Sequence, residues 1–379
     1  MESASLFLRY SRTAIIHLYG HGTSSALDEH TRKLARRLKK QLQVASGRIT
    51  FFYISNPDPQ MLYLWPVNAP NLKELFINTT RSFPAAFRGD MRLLHSITTP
   101  VKNEHRHLMT GNLVNLTLYP PYALDELLAT LNNTPRLRRL ELRRIFENTC
   151  DGLPQVCLPY LEDLSLTNCW HNIIDFIMFP EDARITLTIP EHLERGVPWQ
   201  DFPIVSPFFI PPPFLQSSSL AITTKEVMGP TEVQIVGKNT TRVDLCHVYI
   251  NFNKDSDEGL RYNACVYARG MVRNLTSVSS VQFDAHVRFP AGCASWLDGF
   301  SGLKVLTLTG PWMCPLLLDL VSAELNAVPS LQRLVLDQMF TPIYRKFKDW
   351  IIARDQAGHK VVDYLIPIDL TNNANHGHR

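Results

Sequence analysis

One recurring spacing of leucines restricts the fold of this chain more than any other feature of its sequence. The pattern P-x-L-x-x-L-x-L occurs four times, beginning at Pro70, Pro135, Pro159 and Pro329, with Ile77 in place of the last leucine in the first copy. The leucine spacing returns without the proline from Leu113 and Leu303, and in a looser form from Val278. Equivalent leucines are twice separated by 24 residues, at Leu116, Leu140 and Leu164. Repeats of about 20–29 residues with this spacing are typical of leucine-rich-repeat solenoids.

The physical chemistry of one repeat explains why repeats must stack. The last two leucines of each copy alternate along a short strand and therefore point to the same face. The proline ends a preceding helix and fixes the turn that leads into the strand. One copy cannot bury its own leucines, so successive copies form a continuous core. The sequence predicts an α/β fold: an irregular leucine-rich-repeat solenoid, with a curved parallel sheet on the concave side and helices on the convex side.

The solenoid is predicted to be irregular because its turn positions vary. After the repeat at Pro159, Cys169 falls where many such repeats have asparagine or cysteine. The equivalent positions of the other copies hold unrelated residues: Thr80, Pro121, Ile145, Pro311 and Met339. We therefore expect no orderly asparagine ladder.

Two segments between strands carry leucines at helical spacing. Residues 122–135 place four leucines on one helical face: Leu124, Leu127, Leu128 and Leu131. Residues 314–329 have a similar set: Leu317, Leu318, Leu320, Val321 and Leu325. Each repeat is therefore predicted to run strand, loop, helix, proline and next strand.

We predict a single solenoid over residues 1–370. A proline-rich loop insertion is expected at 193–219, with strands before it at 185–189 and after it near 220–224, 232–236 and 242–250. Residues 341–370 are expected to be a C-terminal capping helix, which ends near Gly358, and a closing strand. Residues 371–379 are polar and expected to form a disordered tail.

Composition excludes several classes of function. The net charge of the 379 residues is only +3, so we expect no nucleic-acid partner. No apolar run reaches the length of a membrane span, and we expect no membrane partner. The seven cysteines are scattered and odd in number, which is typical of a reducing compartment, and no secretory signal is recognisable. We therefore expect a cytoplasmic or nuclear location, or both.

No motif for catalysis or metal binding stands out. Cys150, Cys157 and Cys169 lack the paired spacing of a zinc site, and we interpret them as buried structural thiols. The sequence has no G-x-S-x-G, P-loop or H-E-x-x-H motif. Gly20 and Gly22 form part of a dinucleotide-binding pattern whose third glycine is missing, so a nucleotide-binding enzyme is a remote alternative. We predict no enzyme activity, no cofactor and no metal.

A basic segment near the N-terminus predicts an amphipathic helix. Leu34, Leu38 and Leu42 recur every four residues. The basic residues between them are Arg32, Lys33, Arg36, Arg37, Lys39 and Lys40. A solvated helix face is the favoured interpretation, and a nuclear-import or acidic-partner patch is the alternative.

The functional surface of a leucine-rich-repeat solenoid is its concave sheet. The strand positions between the inward leucines are therefore the predicted protein-binding residues: Glu74, Phe76, Asn115, Thr117, Tyr119, Arg139, Glu141, Arg143, Asp163, Ser165, Thr167, Thr307, Thr309, Arg333 and Asp337. Arginines are concentrated in the repeat that begins at Pro135. They predict either a dock for an acidic partner or a face that is merely kept soluble.

The stretches "ALDELLATLNNTPRLRRLELRRI" and "VCLPYLEDLSLTNCW" resemble the fungal F-box/leucine-rich-repeat proteins, a group expanded in mushroom-forming fungi. Repeats of that family commonly run L-x-x-L-L-x-x-L-x-x-x-P-x-L-x-x-L-x-L. The segment "WIIARDQAGHKVVDYL" is similar to their last helix and strand, and "LFLRYSRTAIIHLYG" is similar to the segment that follows their F-box.

The resemblance implies that the repeats hold a protein substrate for a cullin–RING ubiquitin ligase. In the family, a three-helix F-box that opens with Leu-Pro-x-Glu-Ile/Val binds the ligase adaptor. That segment is not found in this sequence, and we expect a truncated product or a relative that lost it. The interpretation is a protein-binding module for substrate recognition, with the ligase adaptor as a second candidate partner. A stand-alone scaffold or a decoy is the alternative.

Overall fold

The computed structural model describes the strands and helices of two compact units, Met1–Pro180 and Glu181–Arg379. The described residues are 16–21, 29–55, 68–78, 91–100, 108–119, 124–143, 153–167, 171–189, 217–226, 231–239, 244–252, 275–286, 297, 300–311, 313–322, 328–336, 341–359, 361 and 363–365. The proline-rich insertion up to residue 216, the C-terminal tail and the turn positions Thr80, Pro121, Ile145, Cys169 and Met339 lie outside them.

The main sheet of the first unit is parallel throughout. Its strands, in the order in which they pair, are β1 (Ile16–His21), β2 (Ile49–Ser55), β3 (Glu74–Asn78), β4 (Ser96–Pro100), β5 (Asn115–Tyr119), β6 (Arg139–Arg143) and β8 (Asp163–Thr167). Leu116 lies opposite Leu140, and Leu140 lies opposite Leu164. The 24-residue period of the sequence is therefore the step from one strand to the next, which is the geometry of a solenoid.

The repeated leucines fill the core of this unit, as predicted. Leu140 and Leu164 are each 1% exposed, and Leu137 and Leu142 are completely buried. Each buried leucine contributes about 1.5–3 kcal/mol relative to an exposed one, and stacking supplies that burial.

A four-residue turn leads into the strand in eight repeats of the described chain. The N–H of Leu137 donates to the carbonyl of Thr134 at 3.2 Å, and Leu161 donates to Leu158 at 3.1 Å. The same bond closes the turns at Leu72, Leu94, Leu113, Val278, Leu303 and Leu331. Pro135 occupies the second position of its turn, where the fixed φ of proline is favourable. Proline therefore favours this turn but is not required for it, because the turns closed by Leu94, Leu113, Val278 and Leu303 have the same bond without a proline.

Backbone bonds between successive turns fix the register of the stack. Arg138 N–H donates to the carbonyl of Val114 at 2.8 Å, and Glu162 N–H donates to Arg138 at 2.7 Å. Gln332 repeats the contact with Lys304 in the second unit at 2.8 Å. Because each turn is tied to the previous one, residues one repeat apart lie side by side on the sheet.

One repeat of the first unit was not recognised in the sequence. Leu94, Ile97 and Thr99 have the same spacing as Leu113, Leu116 and Leu118, and all three are buried. The repeat was missed because threonine takes the last core position. The Thr99 hydroxyl satisfies itself inside the core by donating to the carbonyl of Pro100 at 2.9 Å.

The sheet of the second unit is mostly parallel, with one reversed strand. Its strands, in pairing order, are β10 (Arg184–Ile189), β13 (Asp244–Phe252), β12 (Thr231–Lys238), β11 (Ser219–Glu226), β14 (Ser280–Ala285), β15 (Val305–Thr309), β16 (Arg333–Leu336) and β17 (Asp363–Leu365). The strands expected near 185–189, 220–224, 232–236 and 242–250 are confirmed.

The reversed strand corrects the expectation of an entirely parallel sheet. β12 pairs antiparallel with both β11 and β13. The connections into and out of β12 are residues 227–230 and 239–243, which are too short for the crossover that a parallel pair requires. β13 returns to lie parallel to β10, and β11 lies parallel to β14, so the repeat order then resumes.

Four described α-helices connect strands: α1 (Glu29–Ala45), α2 (Leu124–Asn132), α3 (Met313–Ser322) and α4 (Thr341–Gln356). All four predicted leucines of α2 are buried. In α3, Leu317 and Leu320 are buried, whereas Leu318 and Val321 are half-buried. Gly358, with φ of 82°, ends α4, because His359 N–H then reaches back to the carbonyl of Arg354 at 2.9 Å.

The prediction that every repeat contains an α-helix is wrong after β8. A 3-10 segment, His171–Phe176, takes the place of the helix there. Two-residue strands β7 (Val156–Cys157) and β9 (Ile177–Met178) form a parallel pair beside it. The alternation of β7 buries Val156 and exposes Cys157, so the interpretation of Cys157 as a buried thiol is also wrong.

Candidate functional site

The predicted binding residues lie on the sheet face opposite the buried leucines, here called the outer face. In the first unit, Glu74 and Arg139 are exposed. The other predicted residues of this unit are half-buried: Phe76, Asn115, Thr117, Tyr119, Glu141, Arg143, Asp163, Ser165 and Thr167. Alternation along each strand places them there, because the neighbouring positions are occupied by core leucines.

Strand pairing sorts these side chains into rows that run across the sheet. One row is Glu74, Ser96, Asn115, Arg139 and Asp163. The next row is Tyr53, Phe76, Thr98, Thr117, Glu141 and Ser165. Tyr53, Ser96 and Thr98 were not predicted as site residues. The alternation of "RITFFYI" could have indicated Tyr53, and the unrecognised repeat accounts for the other two.

Five residues of the outer face form what we call the aromatic–arginine cluster: Tyr53, Phe76, Tyr119, Glu141 and Arg143. The rings of Tyr53 and Phe76 stack with centroids 4.5 Å apart and planes 12° from parallel. The Arg143 guanidinium lies over the Tyr119 ring, 5.1 Å from its centroid. Arg143 Nε also donates to Glu141 Oε1 at 2.6 Å. Two pairs of large side chains in contact, Tyr53 with Phe76 and Tyr119 with Arg143, therefore lie on the outer face of the same sheet.

Thr117 completes the support of Glu141. Its hydroxyl donates to Glu141 Oε2 at 3.2 Å, so both carboxylate oxygens are engaged. Glu141 comes from the repeat after Thr117, and strand register brings the two residues opposite each other. The carboxylate in turn orients the guanidinium over Tyr119, because a charge-assisted hydrogen bond is strong and directional.

The electrostatics of the cluster keep Arg143 charged and Tyr119 neutral at pH 7. Burial opposes the charge of Arg143, but the hydrogen bond and the negative charge of Glu141 outweigh it, and the pKa of Arg143 is raised. Burial raises the pKa of Tyr119; the charge of Arg143 opposes that rise, and Glu141 and Tyr53 add to it. The cluster therefore presents the Arg143 cation beside the neutral phenol of Tyr119.

Salt bridges connect strands next to the cluster but contribute little. Arg139 Nε lies 3.3 Å from Asp163 Oδ2, and Arg138 Nη1 lies 3.1 Å from Glu162 Oε1. The arginine side chains are 68% and 59% exposed, respectively. Exposed pairs of this kind are worth about 0–1 kcal/mol. The positive charges of Arg138 and Arg139 are thus partly neutralised by neighbouring carboxylates. This arrangement gives less support to the prediction that the repeat binds an acidic partner through its arginines alone.

The predicted residues of the second unit are dispersed on its sheet. Thr307 and Thr309 are half-buried and Arg333 is exposed, whereas Asp337 lies outside the described residues. Thr309 Oγ1 donates to Asp284 Oδ1 at 3.0 Å, and His286 Nε2 lies 3.2 Å from the same oxygen. Arg333 and the two threonines do not form a group comparable to the aromatic–arginine cluster.

A polar network on β12 and β13 was not predicted. Gln234 Nε2 donates to the Tyr249 hydroxyl at 3.3 Å, and that hydroxyl lies 3.3 Å from His247 Nδ1. His247 Nε2 lies 3.6 Å from Asp244 Oδ2. Burial lowers the pKa of His247, Asp244 counteracts this, and Arg184 and Lys238 lower it further. The alternation of His247 and Tyr249 in "CHVYINF" was the available signal.

The structure describes the other candidate motifs of the sequence only in part. β1, α1 and β2 form a β-α-β unit, but Gly22 of the glycine pair lies outside the described residues. Within the described ranges, no three His, Cys, Asp or Glu side chains come together as metal ligands. No described helix is both long and apolar enough to span a membrane.

The fold defines the class of the protein as an α/β solenoid built on a largely parallel sheet. No protein-family model matches the chain, and no curated protein matches it at a significant level. The functional argument therefore depends on the outer face itself.

Proposed function

We propose that this chain is a protein-binding module and that the outer face of its first unit holds the partner. The aromatic–arginine cluster supports this proposal more than any other observation. Tyrosine and arginine dominate the energetic centres of protein interfaces. They offer large contact areas here at small entropic cost, because neighbouring strands already order them. The partner is bound and not chemically changed.

The proposed context is substrate recognition for a cullin–RING ubiquitin ligase in the cytoplasm or nucleus. This part of the proposal rests on the resemblance of the repeats to the fungal F-box/leucine-rich-repeat family. A stand-alone interaction or scaffold protein is the alternative, and it would use the same face.

The test is affinity purification of the tagged 379-residue chain from its native cells with two double variants. Tyr119→Ala/Arg143→Ala removes the centre of the cluster. Tyr160→Ala/Arg136→Ala removes the same two residue types from exposed turn positions of the same unit and serves as the matched control. Hot-spot truncations cost about 2 kcal/mol or more, so the first variant should lose at least tenfold of the specific partners. The control should retain them.

Two comparisons make the result decisive. Thermal unfolding of both variants must first agree with that of the wild-type chain, because Tyr119 and Arg143 are half-buried. Equal recovery of partners by both variants would refute the assignment of the outer face. Recovery of the ligase adaptor would support the ubiquitination context, and partners without the adaptor would favour the stand-alone alternative.

A further inference from the structure

Helix α1 presents four cations as one stripe on the surface of the first unit. Lys33, Arg36, Arg37 and Lys40 are all exposed. Their spacing of i, i+3, i+4 and i+7 places them on a single helix face. Leu42 and Ala45, on the other side of the helix, are 3% and 2% exposed. We call the four residues the basic stripe.

The basic stripe differs from an ordinary solvated helix face because it contains one sign of charge. Glu29 is the single acidic residue in the 17 residues of α1. In the part of the chain that the structure describes, none of the four side chains forms an ion pair. Four like charges within about 10 Å, which is two helical turns, repel one another and destabilise the helix that carries them.

Helix α4 provides the comparison within the same chain. Its exposed cations Arg345, Lys346 and Lys348 are interspersed with exposed Asp349 and Asp355. A surface with both signs interspersed is what solubility alone requires. The uniform positive charge of the basic stripe is therefore better explained by binding of a complementary anion than by solubility alone.

We propose that the basic stripe binds an acidic helical segment of a protein partner. Carboxylates at i, i+3 or i+4 and i+7 on that segment would face the four cations. Val44, which lies one turn beyond Lys40, is 90% exposed and provides an apolar contact at the end of the stripe. This surface lies on a helix, so the inference goes beyond the proposed role of the outer face.

The described surroundings disfavour the two other polyanions. Sequence-specific and single-strand nucleic-acid sites join cations to base-reading or aromatic side chains, and the exposed positions of the stripe carry no aromatic residue. A membrane-surface helix needs a free apolar face, whereas Leu42 and Ala45 are buried in the protein. A carboxylate-bearing helix requires neither feature.

The experiment measures binding of a fluorescein-labelled alanine-based peptide with glutamates at i, i+4 and i+7 to the full chain. The matched probe carries glutamine at the same positions. The variant Lys33→Ala/Arg36→Ala/Arg37→Ala/Lys40→Ala keeps residues with high helix propensity. The control Lys304→Ala/Arg345→Ala/Lys346→Ala/Lys348→Ala removes the same net charge from other exposed positions.

We expect the glutamate peptide to bind at low ionic strength and the stripe variant to weaken it at least tenfold. The control should change affinity by less than threefold, and binding should decrease as salt rises. Equal losses in the two variants would overturn the proposal, because net charge alone would explain them. Absence of binding would overturn it as well. Tighter stripe-dependent binding of duplex DNA or phosphatidylserine vesicles than of the peptide would replace the protein partner with that polyanion.

Discussion

Alanine substitutions at four glycines would measure how tightly successive repeats stack. A Cβ on Gly310 would lie 2.6 Å from the carbonyl oxygen of Ala285 in the preceding repeat, and the φ of Gly310 is +89°. A Cβ on Gly302 would lie 2.7 Å from the carbonyl oxygen of Thr276, without a positive φ. Gly358 has a φ of +82° but no atom within 4 Å of the added carbon. Gly111 has neither constraint. The four positions therefore separate backbone strain from contact between repeats.

The expected losses follow from these two terms. A positive φ costs alanine about 1–2 kcal/mol. Overlap with a packed neighbour costs about 1–3 kcal/mol. We expect Gly310→Ala to lose about 2–5 kcal/mol of unfolding free energy by the sum of both terms. Gly302→Ala should lose about 1–3 kcal/mol, and Gly358→Ala about 1–2 kcal/mol. Gly111→Ala should stay within about 0.5 kcal/mol of wild type or gain stability, because alanine reduces the entropy of the unfolded chain.

Urea unfolding followed by circular dichroism measures these differences as changes in the transition midpoint at constant slope. Thermal unfolding supplies a second readout, at about 2–4 °C per kcal/mol for a unit of this size. The reasoning is refuted if Gly310→Ala destabilises no more than Gly358→Ala. That outcome would mean that Gly310, at the end of β15, lies farther from the carbonyl of Ala285, at the end of β14, than in the structure.

Three further predictions concern the core, the last described helix and the half-buried His247. Leu164→Ala should cost about 2–5 kcal/mol in urea unfolding, because a side chain that is 1% exposed leaves a cavity; a loss below 1 kcal/mol would argue against a shared core. Arg354→Met should cost about 1–3 kcal/mol, because it removes the charge-assisted hydrogen bond of 2.7 Å from the buried Arg354 Nη2 to the carbonyl of Val328, which then keeps only the bond from the Leu331 N–H; a variant as stable as wild type would contradict this role. His247→Gln should flatten the loss of stability on acidification. The folded pKa of His247 is lowered, so its stabilising contribution is complete above about pH 6.5, the unfolded pKa, and is lost as pH falls through the folded pKa. Identical melting temperatures against pH for variant and wild type would refute this assignment.

The aromatic–arginine cluster and the basic stripe are separate surfaces of the first unit, and their tests are separate as well. The double variant at Tyr119 and Arg143 leaves all four stripe residues in place. A chain that binds the acidic peptide but has lost its cellular partners would retain the stripe and lack the outer-face site. A chain with the reverse behaviour would show that the outer face works without the stripe.

The sequence by itself determined the repeat and the two faces of each strand. The spacing of Leu137, Leu140 and Leu142 is a local pattern, and alternation along a strand requires only the geometry of neighbouring residues. It therefore predicted which side chains are buried and which lie on the outer face. The prediction of buried residues missed Thr99, because the leucine pattern includes only apolar side chains. Thr99 can nevertheless be buried, because its hydroxyl donates to the carbonyl of Pro100.

Only the tertiary structure decided which outer-face residues meet. Tyr119 and Arg143 are 24 residues apart, and they contact each other because the backbone bonds between turns hold β5 and β6 in register. The antiparallel direction of β12 could not be predicted from its alternating pattern either, because that pattern is the same in both directions. The short connections before and after β12 decided its direction. A linear pattern specifies the face of a side chain, whereas its neighbours across strands depend on hydrogen bonds between distant segments.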